Sequence, residues 1–275
     1  MNNDSSVGES AVSLHMLQLS LDARGLATLG KMLHLPLAQT STNYLVHCAL
    51  GELFGDDAPK PFSVDDDPRS GAETAEASRR VRVLGYAQTS GDALQQAAKL
   101  DASPTVYEIC DWDRFAAKPM PDSFPEGMNL RFELRACPVV RKSSAGSGEA
   151  QNGDARSWEA GEELDVFLSE AWENPDEDLS REGVYRNWLE DQLDNRGGAE
   201  VDEGSVQMTR FSIERMTRRT HRNGNGDRTV KTLKRPDVTL TGRLTVTDSD
   251  AFLNLLRSGI GRHKSFGYGM LKVRR

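Results

Sequence analysis

The sequence predicts an α+β protein made of two tandem units, and three observations carry that prediction. Apolar residues recur at period two in several stretches of the 275 residues, segments with helical spacing fall between them, and a Gly-, Ser- and acid-rich stretch divides the chain. A chain of this length holds two ordinary domains, each with its own core. The order that emerges in the first half is strand, helix, strand, strand, helix, strand, which is the ferredoxin-like (RRM-like) order, and the second half repeats the strand logic, so a second such unit is the economical interpretation.

The first unit is expected over 1–142. Residues 12–21, "VSLHMLQLSL", alternate apolar and polar with one change of phase between Met16 and Leu17, which predicts a strand with a bulge. In "TSTNYLVHCALGELF" (40–54), Leu45, Val46, Ala49, Leu50, Leu53 and Phe54 share one side at about 100° per residue, so a helix is predicted, capped by Ser41, Thr42 or Asn43. "PFSV" (61–64) supplies a short second strand and "DDDPRSGAETAEAS" (65–78) a solvated loop. "RVRVLGYAQ" (80–88) reads as the third strand, "GDALQQAAKL" (91–100) as the second helix and "MNLRFELRACPVVR" (128–141) as the closing strand.

Residues 143–160 read as a flexible acidic linker. The second unit, 161–275, opens with helical patterns around "ELDVFLSEAW" and "REGVYRNWLEDQL", whose Trp172, Trp188 and Leu193 are core anchors rather than stacking platforms. Strands follow in "SVQMTRFSIERM" and "DVTLTGRLTVT", separated by a basic stretch with the turn "NGNGD". The helix "DSDAFLNLLR" (248–257) has acids at its start and Arg257 at its end, as the macrodipole favours, and "YGMLKVRR" closes the chain.

A formal charge of −8 conceals an asymmetry. Residues 205–275 carry 16 Lys and Arg against 5 Asp and Glu, while 143–204 carry 4 against 18. A basic end on an acidic chain points to an anionic partner gripped by one region. No apolar stretch is long enough to span a bilayer and the polar opening has no signal-peptide pattern, so a cytoplasmic location is expected. Three scattered cysteines and five histidines without HxH, HxxH or HExxH spacing imply neither a disulfide frame nor a metal site, and no cofactor is expected.

The segment "SGIGRHKSFGYGMLKVRR" (258–275) has four glycines in eleven positions, arranged G-h-G-x5-G-h-G: Gly259, Gly261, Gly267 and Gly269. Glycine weakens regular structure, so the pairs imply turning or close backbone approach. This pattern resembles the C-terminal hallmark of the CRISPR repeat-cleaving endoribonucleases, and more narrowly the CasE branch found in Cascade; Lys264 and Ser265 fall where that branch has a Lys-Ser pair. "YLVHCALGELF" (44–54) is similar to the CasE pattern Tyr-x-x-His-x-x-Leu-x-x-Leu-Phe, whose histidine is catalytic. "LRFELRACPV" resembles the strand that closes the family's first domain, and "VTLTGRLTVTDSDAFLNLLRSGIG" the run into its glycine loop. Residues 1–11, 65–79 and 143–180 have no clear counterpart.

The resemblance implies a metal-independent endoribonuclease that cuts precursor CRISPR RNA within each repeat at the base of a stem-loop, leaving 2′,3′-cyclic phosphate and 5′-hydroxyl ends. It also implies that the enzyme keeps the crRNA hairpin and works beside the backbone subunits of a Cascade-like antiviral complex. His47 then serves as general acid/base, Tyr44 as its helper and Lys264 as a phosphate contact. Helix geometry agrees, since His47 lies opposite the apolar face, between Tyr44 and Gly51. RNA contacts are expected from Arg210, Arg215, Arg218, Arg219, Arg222, Arg228, Lys231, Lys234 and Arg235, which form a basic run, and from Arg262, His263 and Ser265 in the glycine segment. The four glycines are expected to bring backbone N–H groups close to phosphate. His263 is open between a phosphate contact and a share in catalysis. The alternative reading is an inactive subunit that only binds the crRNA hairpin.

Overall fold

The computed structural model describes residues 13–65, 80–149, 153, 155–219 and 230–275; the side chains of 218, 219, 230 and 231 are also outside the description. Two antiparallel sheets carry the fold. The first comprises β1 (His15–Asp22), β2 (Phe62–Asp65), β3 (Arg80–Ala87) and β4 (Ala116–Pro119), in the order β2-β3-β1-β4. Its helices are α1 (Ala23–Met32), α2 (Thr42–Phe54), α3 (Gly91–Asp101) and the short α4 (Pro104–Tyr107).

The second sheet is built on β5 (Asn129–Ala136), β10 (Ala199–Val201), β11 (Gln207–Arg219), β12 (Val230–Val246) and β13 (Leu271–Arg274). Its order is β10-β12-β5-β13, with β11 also paired to β12. The helices α6 (Arg181–Asp194) and α7 (Ser249–Ser258) complete this unit. The first sheet therefore places the first and third strands of its unit at the centre and the second and fourth outside, and the second sheet does the same when β10 and β11, both paired to β12, are counted together as its second strand, which is the ferredoxin-like arrangement twice over.

Sequence explains the first core directly. Leu17, Leu19 and Leu21 of β1 point to one face and meet Val46, Leu50 and Leu53 of α2, Val83 of β3 and Leu94 of α3. The phase change at Met16 is not a bulge: β1 pairs with β3 without interruption from His15↔Ala87 to Asp22↔Arg80. Met16 instead packs on the other core, which gathers Leu14 and Tyr86 from the first sheet with Leu130, Phe132 and Leu134 of β5 and Trp188, Phe252 and Leu271. The Tyr86 hydroxyl donates to the Leu271 carbonyl at 2.9 Å, so the two units share an apolar seam with a buried hydrogen bond in it.

Three expectations are corrected. The stretch 128–141 does not close the first sheet; Asn129–Ala136 pairs with β12 and β13 and is the first strand of the second unit, so sheet membership moves the division of the chain upstream of the expected boundary at 142. The strand that does close the first sheet is Ala116–Pro119, whose residues are all exposed and carry no alternation to be read. The stretch 143–160 is not a plain linker: β6 (Val139–Arg141) pairs with β9 (Glu163–Asp165), and β7 (Gly146–Glu149) with β8 (Ala155–Trp158). Gly146 and Gly148 serve packing, since built Cβ atoms would lie 2.9 Å from the Trp158 indole and 2.6 Å from the Trp172 Cβ. Helix α5 (Val166–Glu173) follows, and Trp158 and Trp172 stack at 6.1 Å in a small core of their own. Helix α1 is found only here, capped by the Asp22 carboxylate accepting from the Gly25 amide at 2.6 Å.

Candidate active site

Helix α2 starts where the Ser41 hydroxyl accepts from the Tyr44 amide, one of the three caps expected. Its buried stripe fixes the rotation of the helix and turns His47 toward the far end of the chain. There the segment after α7 folds back: Ile260 donates to the Gly269 carbonyl at 2.9 Å, and the Gly269 amide donates to the Arg135 carbonyl of β5 at 2.8 Å. A 3-10 turn over Lys264–Phe266 sits between these glycines. Phe266, at its end, lies 5.3 Å from the His47 ring and stacks on Tyr44 at 5.7 Å. Tyr44 and His47 are themselves 5.9 Å apart.

The expected pair therefore meets the glycine segment, with one correction. Tyr44 is only 6% exposed and His47 is half-buried, because Phe266 covers the face that helical spacing alone leaves open. The imidazole is held below its ordinary value, first by that burial and then by the Lys60 cation. Lys264 is likewise held low by burial and by Arg196 and Lys60. Lys60 precedes Pro61 and Phe62, which pack against the loop: Cβ atoms built on Gly259 and Gly267 would come within 2.9 Å of Pro61 and 3.3 Å of Phe62.

The glycines serve the loop's own geometry. All four have positive φ, between 69° and 82°. A Cβ on Gly269 would fall 2.4 Å from the Ile260 carbonyl, so the two pairs exist to let the loop close on itself. The amides of Gly259 and Gly269 donate within the protein, to the Leu255 and Arg135 carbonyls. Gly261 rests on the indole of Trp188.

Of the basic run, Arg215 lines a crevice shared with Ser41, Asn43 and Phe266, which joins the β11–β12 ribbon to the start of α2. The Thr217 hydroxyl strengthens that junction by donating to the Gln39 carbonyl at 2.7 Å. Arg210 lies 3.7 Å from Asp237, and Lys234 borders a cleft with Arg235. Arg235, Arg262 and His263 are committed to a carboxylate that sequence reading missed: Glu163 accepts from Arg262 at 2.6 Å, contacts His263 Nε2 at 2.9 Å and lies 3.3 Å from Arg235. Its carboxyl is held at about 2, chiefly by the His263 hydrogen bond. Ser265 lies within the 3-10 turn. Arg222 and Arg228 lie outside the described residues, as do the side chains of Arg218, Arg219 and Lys231.

Glu163, Lys60 and Phe266 were missed for different reasons. Glu163 is one acid among many, and Lys60 stands beside no motif. Phe266 lies inside the glycine spacer, where an aromatic next to Gly267 was the available signal.

Residues 14–275 match the model of a family described as CRISPR associated protein. The chain belongs to that family. This CRISPR-associated chain is 28% identical over 163 residues to the CRISPR-associated endoribonuclease Cse3 of Thermus thermophilus, an alignment that covers 58% of the chain and 62% of that relative. Among solved structures it resembles a CRISPR endoribonuclease Cse3 bound to a 19-nucleotide RNA, with 20% identity, 96% of this chain and 100% of that chain covered and a TM-score of 0.56. Thermus thermophilus Cse3 bound to an RNA representing a pre-cleavage complex gives 20% identity, the same coverage and a TM-score of 0.53. These likenesses show the paired ferredoxin-like fold. Among the described residues no helix is long and apolar enough to cross a membrane.

Proposed function

We propose that the chain is a metal-independent endoribonuclease that cuts precursor CRISPR RNA at the base of each repeat's stem-loop and retains the hairpin within a Cascade-like complex. The observation that carries the reading is the meeting of the His47 ring with the glycine segment across Phe266, from opposite ends of the chain. Membership of the family and the similarity to Cse3 support the substrate class.

The reaction forms a bond from the ribose 2′-oxygen to phosphorus and breaks the bond from phosphorus to the 5′-oxygen, so one proton leaves the first oxygen and one arrives on the second. An imidazole held below its ordinary value is neutral near pH 7 and ready to accept the 2′-hydroxyl proton. The imidazolium so formed is the donor to the leaving oxygen. Tyr44, stacked under Phe266 and beside the imidazole, fixes the ring's position. Lys264 in its turn, with Lys60 at the rim, supplies positive charge where the pentacoordinate phosphate gains negative charge. The ribbon's cations hold the stem through phosphates and shape, because the deep major groove of an RNA duplex excludes side-chain reading.

The test is cleavage of the cognate repeat in EDTA. Wild type should cut and leave a 2′,3′-cyclic phosphate, and His47→Ala should lose at least about a hundredfold in rate, the lower range for a general acid/base group. Unchanged cutting by His47→Ala removes that residue from catalysis. Tight binding by wild type without any scission favours the inactive hairpin-binding subunit.

A further inference from the structure

Glu163 enters the basic face from β9, in the acid-rich part of the chain, and its two oxygens are taken up by two guanidinium groups and an imidazole. Charged N–H donors on a tetrahedral or planar oxyanion are how proteins hold nucleic-acid phosphates. Arg262 and His263 come from the glycine segment and Arg235 from β12, so the carboxylate sits where the two expected RNA-contacting regions meet. It is not sealed off: the Arg262 side chain is 46% exposed, and Glu163 and Arg235 line a cleft of about 740 Å³ whose other walls include Arg215, Lys234, the Arg156–Glu162 pair and Asp165. Three donors of Arg235, Arg262 and His263 that converge on one carboxylate at the edge of this cleft form an anion site with an occupant.

We infer that Glu163 is an autoinhibitory contact, an internal stand-in for an RNA phosphate that holds Arg235, Arg262 and His263 until a matched hairpin displaces it. The inference rests on the RNA-binding reading above. A tethered carboxylate competes at the high effective concentration of an intramolecular partner. An RNA that reaches this face through one or two phosphates gains too little to expel it. A hairpin that fits the whole ribbon spreads the cost over many contacts and succeeds. The acidic segment thereby keeps these three donors occupied, through one residue at one place, in the absence of an RNA that reaches all of them.

The experiment compares the full chain with Glu163→Gln and Glu162→Gln, using a twenty-nucleotide oligoadenylate and the cognate repeat hairpin at several salt concentrations. Glu162 is the control because it carries the same charge one residue away and pairs with Arg156 instead. Glu163→Gln should tighten hairpin binding at least tenfold at 0.15 M salt, since wild type must expel the carboxylate to bind it, and should tighten oligoadenylate by less than that while steepening its log-log salt slope by about one. Glu162→Gln should leave both affinities within twofold. Hairpin affinity that is unchanged in Glu163→Gln, a larger gain for oligoadenylate than for the hairpin, an equal gain from Glu162→Gln, or a collapse of hairpin binding in Glu163→Gln overturns the proposal; the last result would make Glu163 a support for the loop. Should Glu163→Gln fail to fold, the wild-type His263 imidazole resonances decide. They should move with the hairpin and stay in place with oligoadenylate, and movement with both or with neither overturns the inference. A wild type that binds no hairpin at all removes the RNA reading itself, an outcome separate from any behaviour of the variants.

Discussion

His47 is shaped by two neighbours that act in the same direction. Burial under Phe266 and the positive charge of Lys60 both disfavour the imidazolium, so the ring stays neutral at a lower pH than free histidine does. Removing the Lys60 charge makes protonation easier and moves the His47 value up toward 6.5, while the burial persists. If the neutral ring is the base, the acid limb of the cleavage pH profile must move to higher pH in Lys60→Ala and stay near its wild-type place in Lys60→Arg. The His47 ring resonances, followed by NMR against pH, should shift in the same sense. A limb that is unmoved or moves to lower pH would show that Lys60 does not act on His47 through charge.

At the scale of elements, a single loop and a single helix carry the site, and their glycines are not equivalent. Gly269 has a φ of +81° and no space for a β-carbon, whereas Gly51 lies inside α2 with nothing within 4 Å of where one would stand. Gly269→Ala should therefore lose about 1–3 kcal/mol from the backbone conformation alone, with the clash added, and should take cleavage down with stability. Gly51→Ala should gain about 0.5–1 kcal/mol, because a helical glycine gives up more chain freedom on folding than alanine does. Urea melts of both variants give the comparison, and equal effects would contradict the geometry. The same contrast shows what was legible. The paired glycine spacing and the Tyr44-to-His47 spacing were readable, since local backbone need and one helix face write themselves into neighbouring residues. Strand β4 was not readable, because it is exposed and has no buried face to pattern it. Glu163 was not readable either, because its meaning comes from Arg262 and His263, about a hundred positions away.

For the whole molecule the decisive contact is the seam between the units, since His47 belongs to one and its loop to the other. Residue patterning predicts both ferredoxin-like units but not their joining, because Met16 reads as a break in a strand when it is the residue that faces the second core. Leu14, Met16, Leu84 and Tyr86 place the outer face of the first sheet against the second unit's core, and the Tyr86 hydroxyl reaches the Leu271 carbonyl beside the glycine loop. Two units that share apolar contacts in this way cannot unfold singly without exposing the seam on both sides. Calorimetry should accordingly show one cooperative transition, with calorimetric and van't Hoff enthalpies equal, rather than two. Tyr86→Phe removes one buried hydrogen bond and nothing else, which costs about 0.5–1.5 kcal/mol and, for a chain of this size, lowers the melting temperature by roughly 2 °C. The whole transition should move together, because a contact made across the seam stabilises neither unit alone. A Tyr86→Phe scan that splits into two peaks, or that shifts only one part of a broad wild-type transition, would mean that the site is held by its loop and helix locally and that the seam does not bind the units into one folding body.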